Sequence, residues 1–243
     1  MFNQQLLFST IKRAFVMARS HIQPLFGASL LVLLFLMTVT VLSFDLMTSY
    51  LELDTSSEAA VEQALVQIMQ PLQLALLIIA APFEAGLVYL AWRKVRGLDA
   101  PVKQVFSPWA MATPLIAIAL ISSVLAQLGL TLFIVPGLYL LAVLSLANLY
   151  YLFRRGSPIK AMWECAKVCH RQVVTIGLYH LIMAAILAIS AIPLGLGLIF
   201  TVPMFFYGKA LLYIELFPQE QQSDDSTPPQ QPTNSSSSSH FEA

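Results

Sequence analysis

Long apolar runs dominate the chain. They extend from Leu25 to Phe44, from Pro71 to Trp92, from Thr113 to Phe153 and from Val173 to Phe217. The hydrocarbon core of a bilayer is about 30 Å thick and takes roughly 20 apolar residues as a helix. The first two runs therefore predict one span each. The third holds 41 residues and would be about 60 Å long as a single helix, so it must fold back. Ile134-Val135-Pro136-Gly137 is the expected corner, because proline and glycine together interrupt helices. The fourth run turns by the same argument at Pro193-Leu-Gly-Leu-Gly197. The pattern predicts an all-α polytopic membrane protein with six spans, over about 25–46, 71–92, 113–134, 138–153, 173–192 and 198–217.

Between the spans the periodicity changes. Leu7, Ile11, Ala14 and Phe15 share one helical face, with Gln4, Gln5, Lys12 and Arg13 elsewhere. This predicts an interfacial amphipathic helix rather than a cleavable signal peptide. In Ser157 to Arg171 the stripe is Ile159, Met162, Trp163 and Ala166, with Lys160, Lys167 and Arg171 off it. A shorter amphipathic piece covers Ala100 to Phe106. The chain thus reads three times as an amphipathic segment followed by a hairpin. Arg93–Lys103 and Arg154–Lys160 match best, each with basic residues, a glycine, then proline and lysine. From Pro218 to Ala243 the chain is rich in Ser, Gln and Pro. Residues 218–243 are expected to be a disordered cytoplasmic tail beyond a membrane domain of residues 1–217.

Composition agrees with lipid as the solvent. The 243 residues are 58% hydrophobic and only 11% charged, with a mean hydropathy of +0.74, whereas soluble domains carry about 25% charged residues. A net charge of zero makes nucleic acid an unexpected partner; membrane lipids are the expected one. Lys12, Arg13 and Arg19 precede the first span, and Arg93, Lys94, Arg96 and Lys103 follow the second. Arg154, Arg155, Lys160, Lys167 and Arg171 lie between the fourth and fifth. Residues 45–70 contain no Lys or Arg. The positive-inside rule then puts both termini in the cytoplasm. Trp92, Trp109 and Trp163 fall at the cytoplasmic interface, as in an aromatic belt.

Two charges lie deep in the predicted spans, and such groups are candidates for function. Glu84 is eight residues from Trp92, and Lys209 is eight residues from Phe217. Both helices run the same way, so each charge sits about 12 Å from the same boundary. Pro82 and Gly86 flank Glu84, where a kink would free backbone groups. His180 and Asn148 lie in the same half. Two readings follow. One is a polar pocket open to the cytoplasm; the other is a Glu84–Lys209 pair that joins helices, or a lysine that snorkels to the headgroups. Gln127 is expected to make an interhelical hydrogen bond.

Glu164-Cys165 and Cys169-His170 resemble half of a metal site, but zinc sites normally show two well-spaced ligand pairs. No metal or cofactor is expected, and the two cysteines make no disulfide framework. H-E-x-x-H, G-x-S-x-G and P-loop motifs are absent from the sequence, so no enzymatic activity is expected.

Leu128-Gly129, Ile134-Val135-Pro136-Gly137-Leu138 and Ser157-Pro158-Ile159-Lys160-Ala161-Met162-Trp163-Glu164 together resemble the YciC-type family of bacterial inner-membrane proteins. A weaker likeness is to the membrane domain that accompanies some glycerophosphodiester phosphodiesterases. The resemblance implies a bacterial inner membrane and six spans, and it brings no catalytic residue. Glu84 and the serine-rich tail are outside it. The expected role is structural, lipid-associated or interaction-based in the envelope; the alternative is a small-molecule or ion transporter using Glu84, Lys209, His180 and Asn148.

Overall fold

The computed structural model describes residues 4–50, 58–192 and 197–218. Residues 219–243 of the expected tail and 193–196 of the expected corner lie outside these. Among the described residues there are nine α-helices and no strand. Helix α1 spans Gln4–Ser20, α2 Ile22–Tyr50, α3 Glu58–Val95 and α4 Ala112–Leu132. Then follow α5 Ile134–Leu144, α6 Ala147–Arg154, α7 Pro158–His170, α8 Val173–Ala191 and α9 Leu198–Leu216. A 3-10 segment, Val102–Met111, leads into α4. Six stretches are long and apolar enough to cross a membrane: α2, α3, the 3-10 segment with α4, α5 with α6, α8, and α9.

Three units repeat, each an amphipathic segment followed by two spans. Each amphipathic segment runs back along the second span of a hairpin. The 3-10 segment lies on α3, where Phe83 meets Phe106 and Trp109 at 5.8 and 5.0 Å between ring centres. A Cβ on Gly86 would lie 2.0 Å from the Val105 carbonyl oxygen, so only glycine admits this approach. Helix α7 lies on α5 and α6: Tyr150 donates to Glu164 at 2.8 Å, and Tyr139 meets His170 Nδ1 at 2.9 Å. Helix α1 lies on α9, tied by Arg13 to Glu215 at 2.9 Å and by the Tyr207 hydroxyl to the His21 carbonyl at 2.9 Å. The first unit thereby packs on the last, and the three close into a ring.

The third run folds back as its length requires, but the corner is not Pro136-Gly137. Helix α4 ends at Leu132, Phe133 alone is extended (φ −157°, ψ 146°), and α5 begins at Ile134. Pro136 falls in the first turn of α5, where backbone N–H groups have no helical acceptor and a proline removes little. Gly137 serves the crossing instead. A Cβ there would stand 2.4 Å from Leu130 Cγ, and one on Gly129 would stand 2.9 Å from Gly137 Cα.

The amphipathic stripes also need correction. In α1 the buried face is Leu7, Thr10, Ala14 and Ala18, while Phe15 is exposed. In α7 it is Ala161, Met162, Cys165 and Cys169, while Ile159 and Trp163 are exposed. Each helix has two apolar sectors, one against the bundle and one facing outward, and the sequence stripe mixed them. Trp92 is buried rather than at the surface of a belt, whereas Trp109 and Trp163 are exposed.

Candidate functional site

The second spans of the three hairpins, α3, α5–α6 and α9, bring Glu84, Asn148 and Lys209 together. Helix α3 continues unbroken through Pro82. The interruption is in the fourth span, between α5 and α6 at Ser145–Leu146, where the Ser145 N–H turns to the Ala142 carbonyl at 3.4 Å. The Ser145 hydroxyl donates to that same carbonyl at 2.8 Å. The break leaves the Val143 carbonyl facing α7, where Cys165 Sγ approaches it at 3.9 Å.

Glu84 and Lys209 meet directly. Lys209 Nζ donates to Glu84 Oε1 at 2.5 Å. The lysine is almost fully enclosed, and its ammonium lies 5.5 Å above the Phe205 ring. The ring quadrupole attracts a cation on its face, so Lys209 has an acid on one side and a π-face on another. Snorkelling to the headgroups is not the geometry found.

Asn148 is brought to the pair across a cavity of about 10 Å³, lined also by Ser145, Glu84 and Lys209. That is room for about one water molecule. The Asn148 Oδ1 is buried and has no hydrogen-bond partner among the described residues. His180 stands one ring away. It meets Phe205 edge-on at 6.0 Å and donates Nδ1–H to the Ile176 carbonyl at 2.9 Å. Its buried Nε2 has no partner among the described residues. Tyr179, beside it, donates its hydroxyl to the Phe205 carbonyl at 2.7 Å and passes over Gly208.

Toward the ends of these helices at Val95, Arg154 and Leu216, aromatic side chains fill the space between them. Trp92 lies 4.5 Å from Phe153, Phe153 lies 5.4 Å from Tyr213, and Tyr150 lies 5.1 Å from Phe217. Trp92, Tyr150, Tyr213 and Phe217 are all buried. The polar group is thereby closed on this side.

All four expected polar residues therefore gather in one region, two in contact and two nearby. Sequence reasoning missed Phe205, Tyr179 and Ser145. Gly208 was the available signal for Tyr179, since a glycine inside a span allows a close approach. Gln127 is exposed on α4, and its side chain makes no interhelical hydrogen bond among the described residues. Cys165 and Cys169 have their sulfurs 3.8 Å apart, but the adjacent Glu164 and His170 point to Tyr150 and Tyr139 instead. No cluster of three metal-ligating side chains occurs among the described residues.

No protein-family model, curated protein sequence or solved structure matches this chain.

Proposed function

We propose that this multi-pass membrane protein is a non-enzymatic, structural and lipid-associated component of a bacterial inner membrane. We read both termini as cytoplasmic, because every loop rich in Lys and Arg then lies inside. The YciC-type resemblance of residues 128–164 supports the same location. One observation carries the structural role: the charged pair between α3 and α9 borders a cavity of only about 10 Å³. Solute-binding pockets are usually several hundred Å³. Glu84 and Lys209 then act as a link between the first and third hairpins, with burial of each charge offset by the other.

Reconstitution into vesicles loaded with a pH-sensitive dye or with labelled solutes tests this reading. The expected result is no flux above protein-free vesicles. Flux that Glu84→Gln abolishes would establish the second reading, a transporter. That alternative has its own support in the broken fourth span beside an intramembrane charge pair, a combination found at transporter binding sites.

A further inference from the structure

Helix α7 carries three sectors. Ala161, Met162, Cys165 and Cys169 are packed into the bundle. On the next sector Ile159 is 70% and Trp163 64% exposed. The third sector presents Lys160, Lys167 and Arg171, all exposed. Arg154 and Arg155 stand at the turn that opens the helix. From residue 154 to 171 there are five basic residues and one acid, Glu164, on a chain that is neutral as a whole. Glu164 is engaged by the Tyr150 hydroxyl at 2.8 Å and only loosely by Lys160 at 3.9 Å. Lys167 Nζ lies 5.3 Å above the exposed Trp163 ring.

We infer that this surface docks anionic phospholipid headgroups of the surrounding bilayer. An exposed tryptophan and isoleucine beside a row of cations match a headgroup boundary, where the apolar side chains enter the acyl region and the cations meet phosphates. Basic clusters on amphipathic helices next to spans attract anionic lipid by this mechanism. A second copy of the chain would bring the same excess of positive charge to the contact. The inference deepens the proposed lipid-associated role and rests on the bilayer placement in that reading, not on the absence of enzymatic activity.

The test uses the full chain in detergent micelles doped with phosphatidylglycerol or phosphatidylcholine, with bound lipid counted by native mass spectrometry. The expected result is preferential retention of phosphatidylglycerol. In Lys160→Gln/Lys167→Gln/Arg171→Gln its affinity should fall about fivefold per charge removed, about a hundredfold in all, with phosphatidylcholine unchanged. Trp163→Ala should weaken retention of both lipids. Equal retention of the two lipids by the natural chain would overturn the inference. So would a triple variant, still helical and monodisperse, that keeps phosphatidylglycerol. If the triple variant instead changes oligomeric state with lipid content unaltered, the surface is a protein interface and the inference fails. Because the measurement is made in micelles, a failed flux or topology experiment leaves its outcome unaffected.

Discussion

Lys209 of α9 and Glu84 of α3 are 125 residues apart in sequence and form an ion pair with unequal halves. The lysine side chain is 6% exposed and the carboxylate side chain 46%. Removing either partner therefore has a different consequence. Glu84→Gln leaves an enclosed ammonium without its counter-charge, and should cost about 3 kcal/mol. Lys209→Met leaves a carboxylate that the protein encloses less and that can be neutralised by taking up a proton, so its cost should be smaller. The double variant should recover part of the larger loss. Thermal unfolding in detergent reads all three, and strictly additive losses would show that the two residues do not act as partners.

Gly208 should be intolerant of alanine. A Cβ there would lie 2.1 Å from the Tyr179 hydroxyl and 2.6 Å from its Cζ, and Tyr179 is fully buried with its hydroxyl bonded to Phe205. Overpacking of this kind costs about 1–3 kcal/mol. In a Tyr179→Ala background, itself destabilised, the further cost of Gly208→Ala should nearly vanish. An equal cost in both backgrounds would place the strain elsewhere.

The corner of the second hairpin offers a contrast between neighbours. Pro136→Ala should change stability by less than about 1 kcal/mol, because the proline occupies the first turn of α5 and makes no corner. Gly137→Ala should be markedly worse, since its Cβ would collide with Leu130 in the facing helix. Melting temperatures of the two variants check this. A larger effect at Pro136 would return the corner to the position the sequence suggested.

Topology is open to cysteine labelling. Ser56→Cys, in the segment without Lys or Arg, should react with a membrane-impermeant maleimide in intact spheroplasts, and Ser236→Cys should react only after lysis. The native Cys165 and Cys169 are fully buried, so the unmodified folded chain should give little background. Labelling of Ser236→Cys from outside would reverse the proposed orientation.

The number of long apolar helices was legible from the residues alone, because bilayer thickness and helix rise leave a 41-residue apolar run no alternative to folding back. Counting residues from the predicted boundaries also put Glu84 and Lys209 at one level, and the two side chains meet. Packing resolved what a helical period leaves open. It chose which of two apolar sectors on α1 and α7 enters the bundle, because lipid and protein interior are equally apolar and periodicity cannot separate them. It moved the corner from Pro136-Gly137 to Phe133, because the glycines were needed where two backbones cross. It put the break in the fourth span rather than at Pro82: Ser145 has no breaker signature, whereas an isolated proline can be carried inside a packed helix. It also filled the space on one side of the charged pair, with aromatic residues that only the convergence of three distant helices brings together.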